Sequence, residues 1–553
     1  MEEEQENKKI KSKFSILDSK IELDETEQKL FTFLQQVIQR YNLGIELRVS
    51  GGWVRDKILG KSSSDYDFVI SNLKITEFAQ FINQFMKEEF EKKNNSNQKE
   101  NSEETSEKEK KFRDKTIISI NSNPEKGKNL ETVRMKIFDN WIDLTNFRKK
   151  STDPKDKEFG TPLVDAQMRD FTINSLFYNI STNQIEDLTG KGLSDLQMQT
   201  ITTPLEPEQT FIDDPLRILR AIRFATKYKF KIHSKVESVM KTIDIHKQFL
   251  DRISRERVGT EIEKIMLLPN SLSGLIHICN AAMYPIVFLG KLDEEIQILN
   301  FVHNSLLIYQ DFLSYFFPQL TDPCEKSILY SVLYLPYFDS FLDDGKTPQI
   351  FNSMFLSSKS TKKDYNYVFS LFQAIKEFSS LFSRDIHLVF GNVLDYNQFS
   401  TYFNSQMKMK MEMEINYSDP KTMEKFFIQN SDFRTLICRF LIKHKEKWIK
   451  ILLISNLLEI VNNFHQIQKE NNLNFLESVS SLMNIYQTIK NEILKMNPEK
   501  IWNTKPILSG SEIMKCLGMK KGSSLISKLI KELLNFQLSK EKEISKEEAE
   551  NLD

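Results

Sequence analysis

Two carboxylates alternate along a short apolar stretch near the start of the chain. The segment DYDFVI has the pattern of a strand, in which side chains two residues apart share a face, so Asp65 and Asp67 form a pair. Paired carboxylates suit Mg²⁺, which prefers oxygen ligands and leaves coordination positions for substrate phosphates. An isolated DxD also occurs in polar edge strands and turns. In the later strand WIDLTNF, Asp143 is either a third carboxylate of a two-metal cluster or a buried acid paired with Arg148.

Two adjacent glycines lie between an apparent strand and a helix just before this pair. Gly51 and Gly52 leave bare backbone N–H groups at the start of the helix, where a polyphosphate can bind, and Arg55 adds a charged fork one turn later. A tight turn alone would also explain the glycines. A phosphate-binding turn followed by a metal-binding pair favours nucleotide chemistry over a purely structural role.

The distribution of histidine and cysteine narrows the chemistry. All seven histidines come after the glycine and DxD region, which excludes a histidine base, a triad or an HExxH metal site there. The four cysteines have no CxxC spacing, which argues against zinc and is typical of reduced thiols in the cytosol or nucleus. The sequence therefore predicts chemistry by metal and carboxylate.

A basic cluster, DDPLRILRAIRFATKYKF, begins at Asp213. Its basic residues fall on one stripe of a predicted helix: Arg217, Arg220, Arg223 and Lys227. One interpretation is an exposed basic face on a helix capped by Asp214. In the other, Asp214 accepts and Arg217 donates hydrogen bonds to a base, which matches the edge shared by cytosine and adenine and opposes that of uracil and guanine. Such a pair would select C and A without a nucleic-acid template.

The elements that carry these residues follow two patterns. Strand-like and helical runs are mixed up to about residue 165, and the pattern is almost purely helical beyond it. The predicted strands are IELRVS, DYDFVI, TIISI, VRMKIF and WIDLTNF, with VRDKILG and ITEFAQFINQFM as helices. Residues 91–111 contain only polar and charged types, which predicts a disordered insertion.

Length and charge set the wider limits. A chain of 553 residues exceeds one core, so several domains are expected, and a net charge of −1 means that a polyanion must be bound by a local basic surface. No apolar run is long enough to span a bilayer. The acidic N-terminus has no mitochondrial targeting pattern, which predicts a cytoplasmic protein and leaves the nucleus open.

Several motifs in order carry a family resemblance. GGWVRDKILG with DYDF, DAQMRDFTINSLFYNI, DLTGKGLSDL, DDPLRILRAIRF and ISRERVGTEIEKIM resemble the motifs of class II tRNA nucleotidyltransferases, the CCA-adding enzymes of the polymerase-beta-like nucleotidyltransferase superfamily. The resemblance implies an α/β head with a small mixed sheet, followed by an all-α neck, body and tail. Composition and the resemblance together predict a disordered tail 1–27, the head 28–180 with the disordered insertion 91–111, a nucleotide-reading neck 181–268, a body 269–503, a tRNA-binding tail 504–540 and a disordered tail 541–553.

The residue patterns and the resemblance together suggest roles for individual residues. Asp65 and Asp67 would be the metal ligands, with Asp143 a further catalytic candidate. The nucleotide-binding candidates are Gly51, Gly52, Arg55, Arg169, Asp170, Asn174, Asp214, Arg217, Arg220 and Arg223. The tRNA-binding candidates in the tail are Lys520, Lys521 and Gly522, for which an ordinary helix cap is the alternative.

Two positions depart from the family pattern. Met168 stands where the first arginine of the family's RRD element is usual, and Asp213 replaces the glutamate of its EDxxR element. Arg257 and Glu261, four residues apart on a predicted helix, are interpreted as a structural brace.

The sequence thus predicts an enzyme that adds C, C and A to the 3′ end of tRNA from CTP and ATP, with Mg²⁺ as cofactor. The predicted partners are tRNA, CTP and ATP; no membrane is expected, and a monomer fits although the oligomeric state stays open. The alternatives are an enzyme that adds only CC or only A, a poly(A) polymerase on the same head, and an RNA-binding protein with an inactive head.

Overall fold

The computed structural model describes residues 21–96, 117–120, 131–149, 159–292, 296–316, 325–338, 361–390, 431–470 and most of 486–549. The chain divides into two compact units, Met1–Asn270 and Ser271–Asp553. The first combines a mixed sheet with helices and the second is helical. This arrangement confirms the predicted fold class, an α/β head followed by helices.

The first unit is built on a seven-stranded sheet. Its strands are β1 (Leu47–Ser50), β2 (Tyr66–Ile70), β3 (Ile117–Ile120), β4 (Thr132–Ile137), β5 (Asn140–Asn146), β6 (Phe177–Asn179) and β7 (Gln184–Glu186). They lie in the order β3-β4-β5-β2-β1-β6-β7. Strands β2 and β5 run parallel, and the other neighbours in this sheet pair antiparallel. A parallel pair lies therefore at the centre of the sheet.

The helices of the first unit surround this sheet and extend beyond it. They are α1 (Glu25–Arg40), α2 (Gly52–Ile58), α3 (Ile75–Ser96), α4 (Pro162–Gln167), α5 (Gly192–Gln197), α6 (Pro207–Asp213), α7 (Arg217–Tyr228), α8 (Ser234–Met240), α9 (Ile243–Arg252) and α10 (Arg255–Met266). Two short parallel strands, β8 (Thr200–Ile201) and β9 (Lys231–Ile232), join the chain before α6 to the chain after α7.

Alternation along the strands gives the sheet two different faces. On one face, Phe68 and Tyr178 pack with Phe31 of α1 and Trp53 of α2 in an aromatic cluster. On the other, Val69 belongs to a smaller apolar cluster with Phe147, which follows β5, and with residues from α4 and β6. That cluster covers only part of the second face. The candidate carboxylates, Asp67 and Asp143, lie on this second face.

Helix α1 begins with a capping box that also fixes α2. Asp24 accepts from the backbone N–H of Glu27 at 2.9 Å, and the Glu27 carboxylate accepts from the backbone N–H of Asp24 at 2.9 Å. Glu27 is buried and also binds Trp53 Nε1 at 3.1 Å and Lys57 Nζ at 2.6 Å. The predicted disordered tail to residue 27 is therefore too long, because its last three residues begin this helix.

Two further predicted boundaries differ from the structure. Helix α3 continues to Ser96, six residues into the predicted insertion, and ion pairs at 3.7 Å (Lys87 with Glu91) and 2.9 Å (Lys92 with Glu89) join residues one turn apart. Residues 97–111 lie outside the described residues. The predicted C-terminal tail is not wholly solvated either, since Ala549 is buried in an apolar cluster with Ile513 and Leu533.

Strands β6 and β7 are a departure from the helical pattern predicted after residue 165. Phe177, Tyr178 and Asn179 of β6 are all buried, so the strand has no polar alternation. A three-residue segment without alternation cannot be distinguished from part of a helix by its pattern. The pairing of β6 with β1 supplies the missing information.

The second unit is an assembly of helices with a mainly apolar interior. Its helices are α11 (Ser271–Asn280), α12 (Ile296–Phe316), α13 (Lys326–Leu333), α14 (Lys362–Phe390), α15 (Ser431–His444), α16 (Trp448–Glu470), α17 (Pro498–Trp502), α18 (Gly510–Cys516) and α19 (Ser524–Ser539). Within the described part of the chain, three cysteines are free thiols, Cys279, Cys438 and Cys516. Of the helices in that part, none has the length and apolar character to cross a bilayer.

Candidate active site

The parallel register of β2 and β5 places two carboxylates side by side. Asp67 is the direct partner of Asp143 in the ladder, and Asp65 lies exposed one residue before β2 begins. Burial raises the pKa of Asp67 to about 6, and the negative charges of Asp65 and Asp143 add to that rise. The three predicted carboxylates are therefore neighbours that repel one another.

Asp143 has unmet hydrogen-bonding capacity. Its Oδ1 atom is buried without a hydrogen-bond partner, and its nearest cation is Arg134, whose Nε lies 3.7 Å away. Burial raises the pKa of Asp143, while Arg134 opposes the rise. The suggested pairing with Arg148 is wrong, because Arg148 instead lies 3.7 Å from Asp165.

These features fit a divalent cation bound at the carboxylates. A cation would relieve both the repulsion around Asp67 and the orphaned oxygen of Asp143. Among the described residues, no three His, Cys, Asp or Glu side chains already form a metal-holding group, so the closed three-carboxylate cluster is not formed. A Mg²⁺-like ion held by one or two carboxylates takes its other ligands from water and substrate phosphates.

The glycine turn is constrained by its neighbours. Gly51 has φ +66°, and a Cβ atom there would lie 2.8 Å from Arg169 Nη1, so only glycine fits without strain. Its N–H donates to the carbonyl of Leu176 at 3.0 Å and is not free for a phosphate. Gly52 begins α2, which leaves Gly52 as the glycine from which a phosphate contact can be proposed.

Arg55 is a buried brace in this conformation. Its guanidinium donates to Asp56 at 2.9 Å and to the side-chain oxygen of Asn174. It also lies over the rings of Phe224 and Tyr228 in α7, 5.1 and 4.7 Å from their centroids. The residue is 4% exposed, so a direct contact with a triphosphate, as the sequence predicted, requires these bonds to open.

A hydrogen-bonded chain continues from Asn174 into the neck. Asn174 donates to Asp170 Oδ1 at 3.0 Å, and Asp170 Oδ2 accepts from Arg220 of α7 at 2.6 Å. Asp170 is buried, but Arg220 and Asn174 hold its pKa below the usual range. Arg169 binds Asp165 at 2.8 Å and the carbonyl of Asn174 at 3.1 Å. These candidates are thus brought together as a connected network.

Asp214 and Arg217 are close in sequence but contact different partners. Asp214 directly follows α6 and lies before α7, where its Oδ1 accepts from the Leu216 N–H at 3.2 Å. Its Oδ2 accepts from Arg257 at 2.7 Å. The three-residue spacing is compatible with one helix, but the two residues do not share one. Asp214 is not the N-cap of α7, because that helix begins after Leu216.

Arg217 is held by two backbone carbonyls. Its Nη1 donates to Thr210 at 3.2 Å and its Nη2 to Met168 at 2.8 Å. The unusual methionine at position 168 thus takes part through its backbone, which any residue type supplies.

Sequence spacing also misassigned a neighbouring ion pair. Arg257 binds Asp214 rather than Glu261, so the predicted i,i+4 brace is wrong. The Glu261 carboxylate is 4% exposed and accepts from Arg223 of α7 at 2.7 Å. Arg220, Arg223 and Arg217 are partly buried and bonded, rather than an open basic face. Helix α10 therefore contacts Asp214 through Arg257 and α7 through Glu261. Spacing within one helix could not predict these contacts, because they form when the helices pack together.

The candidate tRNA site in the tail is only partly described. Lys520 lies outside the described residues, whereas Lys521 is exposed and Gly522 has open space around its Cα. Helix α19 begins at Ser524, directly after this segment. Helix placement agrees with the sequence, and the tRNA role stays a prediction.

Comparison with known proteins supports the head and the fold. Residues 47–202 match the poly A polymerase head domain. The chain is 37% identical over 299 residues to the mitochondrial CCA tRNA nucleotidyltransferase of Candida glabrata, covering 52% of this chain and 53% of that protein. It is 28% identical over 521 residues to a tRNA nucleotidyltransferase of Schizosaccharomyces pombe, covering 92% and 93%.

Solved structures extend the likeness to the full length. A Thermotoga maritima CCA-adding enzyme complexed with tRNA matches with a TM-score of 0.55 and 17% identity, covering 98% of this chain and 97% of that one. A CCA-adding enzyme complexed with CTP matches with a TM-score of 0.54 and 16% identity, covering 95% and 94%. The resemblance to CCA tRNA nucleotidyltransferases is confirmed by the sequence matches, and the solved structures show the same fold.

The chain spans about half the length of the Candida glabrata and Saccharomyces cerevisiae relatives that it matches. Both of those relatives are named mitochondrial, and the cytoplasmic location expected here stays a prediction. Nucleotidyltransferases with this head generally use a divalent metal ion.

Proposed function

We propose that this protein adds C, C and A to the 3′ end of tRNA, taking CTP and ATP as substrates without a nucleic-acid template. The observation that carries the proposal is the β2–β5 register, which sets Asp67 beside Asp143 with Asp65 adjacent. Repulsion among these groups and an unpartnered carboxylate oxygen make the site suited to a cation and a polyphosphate.

Mg²⁺ is the proposed cofactor, with Asp65 and Asp67 as its protein ligands. When bound, this ion supplies Lewis acidity and charge screening for nucleotidyl transfer. Asp143 lies beside Asp67 and is the further catalytic candidate, because its Oδ1 atom has no hydrogen-bond partner and burial raises the pKa of the group. The segment beginning at Gly52 binds the triphosphate, and the Arg55–Asn174–Asp170 chain keeps it in register with α7.

Base selection is proposed for Asp214 and Arg217. The contact of Arg257 with Oδ2 and the Leu216 N–H on Oδ1 hold the Asp214 carboxylate in one orientation. The carbonyls of Thr210 and Met168 do the same for the Arg217 guanidinium. A fixed acceptor and a fixed donor favour the amino and ring-nitrogen edge of C and A, and leave buried groups unpaired against U and G.

A transfer assay with a tRNA transcript that lacks its terminal CCA tests the proposal. With CTP alone we expect two added nucleotides, and with CTP and ATP together three. A product that stops at CC with both nucleotides indicates a CC-adding enzyme, and addition only to a transcript ending in CC indicates an A-adding one. A long ladder with ATP alone indicates a poly(A) polymerase. Binding without any addition would overturn the proposal in favour of an inactive head.

A further inference from the structure

Beyond the carboxylates, the open face of the sheet continues onto the β4–β5 hairpin. The register pairs Arg134 with Asp143 and Lys136 with Trp141. Trp141 lies two residues before Asp143 on β5, so the two side chains share a face about 7 Å apart. The buried residues Val133, Met135 and Ile142 occupy the opposite face. One surface therefore presents, side by side, a tryptophan, two cations and the candidate active-site carboxylates.

Trp141 is exposed and held in place. The residue is 38% exposed, although tryptophan is usually largely buried. The Arg134 guanidinium lies over its ring, 5.5 Å from the centroid, which orients the indole by a cation–π contact. Lys136 has only a 3.8 Å ion pair with Asp139, a fully exposed residue. An oriented exposed indole with flanking cations combines a stacking platform with phosphate contacts, as single-stranded nucleic acid requires.

We infer that Arg134, Lys136 and Trp141 bind the single-stranded 3′ end of the RNA that receives the nucleotides. The inference rests on the proposed function, because the carboxylates define where the 3′-hydroxyl must arrive. A base stacked on Trp141 directs its ribose toward Asp143, two residues further along β5. Arg134 and Lys136 offset the charge of the neighbouring phosphates. Stacking uses the π-face common to all bases, so this surface accepts any terminal nucleotide and leaves base choice elsewhere.

A binding comparison tests this surface directly. Two tRNA transcripts are used, one ending in a single unpaired nucleotide beyond the acceptor stem and one ending flush. The parent protein should prefer the first. Trp141→Leu, which keeps bulk without a π-face, should weaken binding of the first transcript between about fivefold and about hundredfold and remove the preference. Trp141→Phe should keep most of the preference for the first transcript, and the KM for CTP should stay unchanged.

A matched control lies on the same hairpin. Phe138 is 44% exposed, but it packs on Phe33 of α1 at a ring distance of 5.2 Å and so belongs to the other face. Phe138→Leu should therefore keep the preference for the unpaired nucleotide. Lys136→Gln should reduce the salt dependence of binding by about one phosphate contact. Equal affinities of the parent and Trp141→Leu for the first transcript, with equal melting temperatures, would overturn the inference.

The binding assay needs neither CTP nor ATP, so it separates the two ideas. If the parent transfers no nucleotide, and Trp141→Leu removes the preference for the unpaired nucleotide, the RNA-binding surface is supported and the proposed activity is wrong. If the parent transfers nucleotides and the variant binds both transcripts as the parent does, the activity stands and the surface is excluded.

Discussion

At the scale of single residues, the ionised carboxylate of Asp67 carries an energetic cost to the fold that a bound cation would remove. Its pKa is raised from 3.8 to about 6 by burial and by its acidic neighbours. Below about pH 4 the group is protonated in the folded and the unfolded chain. Between pH 4 and 6 only the folded chain keeps the proton, so stability falls as the pH rises, and above pH 6 the whole cost is present.

The first prediction follows from that cost. In metal-free buffer at pH 7.5, Asp67→Asn should melt at a higher temperature than the parent, and the difference should vanish below pH 4. Mg²⁺ should raise the melting temperature of the parent but not of the variant. Nucleotide addition should fall by more than about 100-fold, since even indirect partners of a metal contribute 10–100-fold, while tRNA still binds.

Asp139 provides the control for this prediction. It is a fully exposed aspartate on the neighbouring hairpin, so Asp139→Asn removes the same charge without the same burial. Its melting temperature should respond to Mg²⁺ as that of the parent does. Normal nucleotide addition by Asp67→Asn would remove the metal assignment altogether.

The second prediction concerns base choice at Asp214. Asp214→Ala should lower the ratio of CTP to UTP efficiency by between about 5-fold and 150-fold, because one bidentate contact discriminates by roughly 1–3 kcal/mol. Arg257→Gln should move the ratio in the same direction by less, since it frees the carboxylate without removing it. The measurement is kcat/KM for each nucleotide on one tRNA transcript. A variant that melts earlier but keeps the CTP preference would make Asp214 purely structural.

Residue positions were predictable here to different extents. Strand alternation was enough to predict that Asp65 and Asp67 are close, because period-two geometry is local. The position of Asp143 beside Asp67 was left open, because it depends on the long-range pairing of β2 with β5. The partner of Asp214 was not predictable, since Arg257 lies 43 residues later and i,i+4 spacing pointed to Glu261 instead. Long-range ion pairs depend on how helices pack, which spacing within one helix does not encode.

At the scale of elements, the Glu27 side chain at the start of α1 makes three structural contacts. Glu27 closes the capping box, accepts from Trp53 of α2 and pairs with Lys57. Asp24 performs only the capping. Substitutions at Asp24 and Glu27 therefore distinguish the stability contributed by a helix cap from that contributed by a buried ionic contact.

The third prediction compares these two residues. Asp24→Ala should destabilise the fold by about 1 kcal/mol, as the loss of a cap does. Glu27→Ala should cost about 3–5 kcal/mol, because it leaves a partly buried lysine and a buried indole N–H without their acceptor. Chemical denaturation of the first unit's tryptophan signal measures both. Similar losses for the two variants would show that Glu27 acts only as a cap.

The strands and helices were predictable from the sequence to different extents. The five predicted strands β1 to β5 all form, because each shows alternation or a β-branched run. Strands β6 and β7 were missed because they are three residues long and are defined by pairing rather than by pattern. Helix α3 outlasts its apolar repeat, and its exposed ion pairs at residues 87–92 show why a polar sequence need not end a helix.

At the scale of the whole molecule, the chain divides at Asn270 into two units. The candidate metal, triphosphate and base-reading residues all belong to the first. The unit has its own sheet, its own aromatic cluster and its own buried ionic network.

The fourth prediction is that Met1–Asn270 folds without the second unit. The isolated fragment should melt in one cooperative transition and bind CTP with Mg²⁺ within about threefold of the full chain, while its affinity for tRNA falls by at least about tenfold. Calorimetry and nucleotide titration measure the first two, and filter binding the third. A fragment that binds tRNA as tightly as the full chain would remove the proposed role of the helical body and tail.

The parallel pairing of β2 with β5 has a further consequence during protein synthesis. The paired residues are 76 positions apart, as in the bond from Asn146 to Ile70. At 5–20 residues per second, β5 leaves the ribosome roughly 4 to 15 s after β2. Throughout that interval β2 has β1 beside it and an apolar open edge on its other side. The strand that carries the candidate metal-binding aspartate is thus synthesised several seconds before its parallel partner, and its edge is open to incorrect pairing during that interval.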